Sequence, residues 1–235
     1  MSRQEKLAAL ASTGVTKAEL DNIDGGTARG TTAIADGDGV LINDAGTMRM
    51  TSVETMATYM GTKIGGGMEF IASSGAVSDA ASISFTQFDA SKYDHYKFFF
   101  QYVKPATDNV TMYGHASTNG GTSYDTTNGN YHYAAANDVP GFTINAGDTA
   151  GNGTNEYGIA GQFSLNNPAL STYTFATADG IAVNNVTDAN IRSQYASASS
   201  TSMYINTAVV NAIQFKFTSG NIASGEITMF GIVNS

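Results

Sequence analysis

The chain has 235 residues, no cysteine, 26 glycines and only 13% charged residues, with 11 basic against 20 acidic side chains and a formal net charge of −9. The missing cysteine excludes disulfides, thiolate nucleophiles and Cys-based metal sites, and the acidic balance repels phosphate backbones, so nucleic acid is not expected as a partner. Hydrophobic residues make up 42%, enough for a core, but no run approaches the roughly 18 apolar residues of a membrane span, and no long apolar stretch follows Arg3, Glu5 and Lys6 as a signal peptide would require.

In chain order, "TKAE" at Thr16 to Glu19 fits a capping box, in which a Thr hydroxyl and a Glu carboxylate satisfy free amides at a helix start. Val40 to Ile42 and Met48 to Met50 then read as a hairpin around a turn at Asn43 to Gly46. "TSVE" at Thr51 to Glu54 repeats the capping-box pattern and opens a helix running to about Lys63. Val53, Met56, Ala57 and Met60 line one face of it at helical spacing. A stripe that short does not sustain an isolated helix, so it calls for a partner, such as the same helix from another chain. The triple glycine Gly65 to Gly67 reads as a hinge. It divides residues 1–67, which hold six of the basic and eight of the acidic residues, from residues 68–235.

Beyond the hinge the pattern changes to period two. Ile83 and Phe85 alternate; Tyr96, Phe98, Phe100 and Tyr102 share one face of the next strand, with Phe99 and Val103 on the other. Val110, Met112 and Gly114 continue the series, as do Tyr157, Ile159, Gly161, Phe163 and Leu165. Tyr173 and Phe175, then Met203 and Ile205, then Ile213, Phe215 and Phe217, and finally Ile227 and Met229 complete it. About eight short strands separated by Gly, Asn, Ser and Asp turns predict an all-β sandwich or jelly roll.

Candidate chemistry is sparse. Asp94 and His95 are adjacent on a strand, so they point to opposite faces and do not form a base and its orienter. His95, His115 and His132 lack metal-ligand spacing, and no metal or other cofactor is expected. "DGDG" at Asp36 to Gly39 begins like a calcium loop, but Val40 and Leu41 follow where ligands are needed, which leaves a tight turn. The glycines between Gly147 and Gly158 do not open a helix after a strand, so they do not cradle phosphate. Glu156 in that loop is the best single carboxylate for hydrolytic chemistry, and a surface-loop role competes with it. A Tyr- and Asn-rich loop, His115 to Tyr133, suits sugar binding: rings stack on sugar faces and amides pair with hydroxyls. Tyr124, Asn128, Tyr131 and Tyr133 are the candidate ligand contacts there.

Four stretches carry a family resemblance. "GVTKAELDNIDGGTA" resembles segments of bacteriophage tail-fibre and related virion appendage proteins, and "IADGDGVLINDAGTMRMTSVETMATYM" resembles the strand-turn-strand-helix that follows in such chains. "FDASKYDHYKFFFQYVKPATDNVTMYGHASTNGGTSYD" and "AIQFKFTSGNIASGEITMFGI" are similar in character, so the likeness spans most of residues 13–232. It implies a virion structural protein rather than an enzyme, homotrimeric, with a helix–hairpin–helix segment at residues 1–67 that attaches to other virion proteins. Residues 68–235 would then form a jelly-roll-like module facing a host-surface glycan or protein. The chain departs from long fibres in having no repetitive shaft. The alternatives are a carbohydrate-active depolymerase on the same scaffold and a purely architectural head, tail or adaptor piece.

Overall fold

The computed structural model describes residues 2, 4–5, 14, 31–63, 67–133, 136–146, 149–184, 195–197 and 199–233. Two units emerge from it, Met1–Lys63 and Ile64–Ser235. The capping box at Thr16 to Glu19 and most of the triple glycine lie outside the described residues.

In the first unit, β1 (Gly39–Asp44) and β2 (Thr47–Ser52) form an antiparallel hairpin in the register Asp44 to Thr47. The two-residue turn places Ala45 and Gly46 at φ of 51° and 93°. That left-handed pair matches the twist of the flanking strands, and the Asn43 side-chain oxygen accepts the Gly46 amide at 2.7 Å. Asp36 to Gly39 make a tight turn: the Asp38 amide donates to the Ala35 carbonyl at 3.0 Å, and the Ala35 amide donates to the Asp38 carboxylate at 2.9 Å.

Helix α1 (Val53–Lys63) follows β2 directly. Its cap is Ser52, whose hydroxyl accepts the Thr55 amide at 3.1 Å. The cap therefore sits one residue later than the "TSVE" spacing predicts, and Glu54 serves in the first turn against the positive end of the helix dipole. Among the described residues of this unit none is buried. Val53 and Met56 are half-buried, Ala57 and Met60 are exposed, and Met48, Met50 and Tyr59 are exposed beside them. The four residues share the helix, but among the described residues of this unit they meet no core.

Among its described residues the second unit is all-β, and its strand pairs are antiparallel. Its strands are β3 (Met68–Ser73), β4 (Val77–Ala80), β5 (Ile83–Phe85), β6 (Tyr93–Pro105), β7 (Met112–Ser117), β8 (Tyr131–Tyr133), β9 (Ala136–Val139), β10 (Phe142–Thr143), β11 (Ile159–Asn166), β12 (Thr174–Val183), β13 (Tyr195–Ser197), β14 (Ser200–Tyr204), β15 (Ala212–Phe217) and β16 (Ile222–Val233). A four-stranded sheet runs β10-β7-β15-β5. A ten-stranded sheet runs β3-β16-β6-β11-β12-β14-β8-β9, with β4 on β16 and β13 on β12. Far more strands form than the eight read from periodicity, because β3, β4, β8, β9, β10 and β13 are too short or too mixed to alternate visibly.

The sheets pack face to face on aromatic rings. Phe215 of the small sheet lies 5.2 Å from Phe98, 5.3 Å from Phe100 and 5.7 Å from Phe163 of the large sheet, and 6.4 Å from Phe85 beside it. Phe163 continues to Phe142 at 5.7 Å, Phe142 to Tyr131 at 5.2 Å, and Tyr131 stacks on Tyr204 at 4.6 Å. Such rings carry much of a core's burial energy, and most of these pairs meet edge to face, the arrangement their quadrupoles favour.

Two sequence expectations change here. Strand β6 carries an extra residue opposite both neighbours: Phe100 and Val103 face Gly161 and Ile159 on β11, while Gln101 and Lys104 face Glu226 and Ser224 on β16. Tyr102 takes up that bulge at φ 49° and points outward, 67% exposed, while Val103 turns into the core. Gly225 is required opposite, since a Cβ there would lie 2.6 Å from the Val103 Cα. On β12 the inward residues are Thr174, Ala176, Ala178 and Ala182, and Phe175 is 55% exposed. On β14 the inward ring is Tyr204, and its neighbour Met203 pairs with Phe175 on the other side of the sheet. Tyr173 is likewise exposed, and Tyr157 lies outside β11 and is exposed.

Candidate functional site

The ring ladder ends in two tyrosine hydroxyls, and Tyr204 lines a cavity. Tyr131 and Tyr204 are fully buried as rings. The Tyr131 hydroxyl donates to the Asp125 carbonyl at 2.9 Å and accepts the Ala116 amide at 2.9 Å. The Tyr204 hydroxyl donates to the Asp125 carboxylate at 2.8 Å. Above them a polar cavity of about 280 Å³ is lined by Ala116, Thr118, Ser123, Tyr124, Asp125, Thr127, Tyr204 and Asn206. This volume stands near the lower end of small-molecule pockets, about 300–1,000 Å³, and suits one small polar unit.

The loop between β7 and β8 builds most of that wall, and its sequence explains its shape. Ser117 accepts the Gly121 amide at 2.9 Å, and Asn119 accepts the Ser123 amide at 3.0 Å. Gly120 and Gly121 adopt φ of 70° and 87°, and a Cβ on Gly121 would meet Thr86 at 2.7 Å and the Tyr124 hydroxyl at 2.8 Å. The Asp125 amide returns to the Ala116 carbonyl at 2.9 Å. Asp125 then accepts the Thr127 amide at 2.8 Å and the Asn130 side-chain amide at 2.7 Å. The loop is thus stapled at both ends before any ligand arrives, which lowers the ordering cost of binding.

The electrostatics follow from those bonds. Partial burial pushes the Asp125 carboxyl up, but bonds from Thr127, Asn130 and Tyr204 outweigh it and hold the group below its ordinary value. Burial first, and the neighbouring Asp125 second, raise the Tyr204 phenol to about 12. Burial drives Tyr131 higher still. His115, one residue before Ala116, is pushed down to about 4 by burial and by Lys216, against the pull of Asp125, so it is neutral at physiological pH. The thiol-free cavity therefore presents one ionised carboxylate among hydroxyl and amide groups. Thr118 and Tyr124 also line the cavity, and their hydroxyls make no hydrogen bond to a described residue.

Of the four sequence-named ligand contacts, only Tyr124 lines this cavity. Asn128 is exposed at the loop tip, and Tyr133 is half-buried on β8 against the core. Tyr131 is a core ring and not a loop ring, because its hydroxyl is the post on which Asp125 and Ala116 are hung. Sequence reading missed Tyr204 and Asn206, which arrive from β14 and its exit, 79 residues beyond Asp125 for the Tyr204 bond. No local pattern joins segments so far apart.

The other candidates separate. Asp94 is exposed and His95 half-buried on β6, and no hydrogen bond joins them. His115 lies on β7 and His132 on β8, and among the described residues no three metal-ligating side chains cluster. Glu156 is buried with its carboxylate accepting the Gly153 amide at 2.6 Å and packed over Gly151, away from the cavity lining. Among the described residues no helix is long and apolar enough to cross a membrane. No family model, curated protein or solved structure matches the chain.

Proposed function

We propose that this chain is a non-enzymatic structural protein of a bacteriophage particle. On this reading it is a short fibre or fibre-like appendage, with a helix–hairpin–helix segment that assembles and docks it and a jelly-roll-like sandwich that presents the polar cavity to a host-surface glycan. The observation that carries the reading is the contrast between the units. The sandwich has a continuous aromatic core, whereas the first unit buries none of its described residues while exposing Met48, Met50, Tyr59 and Met60. A two-stranded hairpin and an 11-residue helix are not stable in water by themselves. Such a segment holds its shape when identical or neighbouring chains cover it, as in a trimer seated on a particle. The resemblance of both segments to virion appendage proteins points the same way.

The glycan part rests on Tyr124 and the unbonded hydroxyls around a cavity whose loop wall is held by its own hydrogen bonds. A depolymerase on the same scaffold would need two carboxylates flanking the scissile bond, at about 5–10 Å. Asp125 is the single carboxylate of the described lining, and its bonds keep it ionised, which disfavours it as a general acid. Light scattering on the full-length chain after size exclusion tests assembly: a trimer mass is expected, and a monomer across micromolar concentrations rejects it. A saccharide array probed with wild type and Tyr124→Ala tests the cavity. Retention that falls several-fold in the variant at unchanged melting temperature supports it, and retention of no saccharide removes it.

A further inference from the structure

The cavity that the proposed function assigns to a glycan carries its own charge rule. Its lining holds one carboxylate, Asp125, and no Lys, Arg or His. Recognition of an acidic sugar uses charge-assisted bonds, above all the paired donors of Arg. Nothing in the lining supplies them. Asp125 stays charged near neutral pH, because hydrogen bonds from Thr127, Asn130 and Tyr204 favour its ionised form. His115 cannot compensate, since it is buried and uncharged near neutral pH. The surrounding residues add to the field: residues 68–235 hold five basic and twelve acidic side chains.

From this geometry we infer that the cavity selects an uncharged polyhydroxy sugar unit and rejects its uronic, sialic or phosphorylated counterparts. The inference rests on reading the cavity as a saccharide site, and adds the class of saccharide. The attractive part is the pair of unbonded hydroxyls on Thr118 and Tyr124 with the Tyr124 ring. The repulsive part is Asp125, an anion fixed in a partly enclosed wall, where a second anion would sit beside it without a cation between.

The test uses the full chain and matched saccharide pairs that differ only in a terminal acidic group, with affinities measured by calorimetry across a salt series. Each neutral member should bind, and each acidic partner should bind about tenfold or more weakly at low salt. Raising ionic strength should narrow the gap by improving the acidic partner, because salt screens the repulsion and leaves neutral contacts nearly unchanged. Asp125→Asn should narrow it further at low salt. Since Asp125 also clasps its loop, the salt series on the unaltered protein decides the matter if that variant misfolds. Acidic saccharides bound as well as or better than neutral ones would overturn the charge rule and leave the glycan reading standing. Binding of neither kind would overturn both.

Discussion

The two ends of the core ladder use rings in different ways. Around Phe215 the contacts are ring on ring, with Phe85, Phe98, Phe100 and Phe163 and no polar atom among the five side chains. Around Tyr131 and Tyr204 the same kind of packing ends in hydroxyls that fasten a loop through Asp125. The first end depends on filled volume, which pH does not touch. The second depends on a charge, and so on protonation. That division leaves the cavity wall as the part of the sandwich that depends on pH.

The comparison breaks hardest at the phenylalanine end. Phe215→Ala removes a fully buried ring that bridges both sheets, and a loss of about 3–5 kcal/mol is expected from denaturant unfolding. The loss should be the same from pH 3 to pH 7. A pH-dependent loss would mean that the two ends are not separate. At the tyrosine end, Tyr204→Phe keeps the ring and removes the bond to the Asp125 carboxylate. At neutral pH it should cost about 1.5–3 kcal/mol, the range for a bond to a charged group. The sign with pH is fixed by Asp125. Its carboxyl is held below its ordinary value in the folded chain, so its contribution is complete above the unfolded carboxylate range and disappears as pH falls through the folded value. The deficit of Tyr204→Phe should therefore shrink on acidification. A deficit that stays constant down to pH 2 would show that the bond does not depend on the charge.

The same contrast governs what could be read from sequence. The alternation of Phe98 and Phe100, and of Ile213, Phe215 and Phe217, was legible because large apolar side chains face inward at that end. It misled beyond Phe100, since the bulge at Tyr102 depends on the room left by Gly225, on a strand more than a hundred residues away. At the tyrosine end the pattern inverts. Phe142, Tyr131 and Tyr204 fill much of the core there, and β12 turns the small Ala176 and Ala178 inward and Phe175 to the outside. Hydrophobicity alone assigns such a strand to the wrong face. The cavity lining was legible by half: composition singled out the loop that supplies most of it, with Tyr124, but not Tyr204 on β14 or Asn206 beyond it. Tyr131, read there as a loop ring, is the anchor that makes the loop a wall.

The mildest test falls on β12, where the polar end carries a group it does not use. Thr174 is fully buried, and its hydroxyl makes no hydrogen bond to any described residue. A buried hydroxyl without a partner is a net cost, because it has left water and regained nothing. Valine has nearly the same shape, favours strands, and carries no such group. Thr174→Val should then be neutral or stabilising by up to about 1 kcal/mol, with denaturant midpoint raised and the slope unchanged. The equivalent insertion of polarity at the other end, Val103→Thr, should destabilise by about 1–3 kcal/mol, since Val103 is fully buried on the phenylalanine side of the core. Opposite signs for one methyl-to-hydroxyl exchange would mark the boundary between the two kinds of core. A clear loss in Thr174→Val would mean that its hydroxyl is bonded after all and that the polar network reaches further into the sandwich than Asp125.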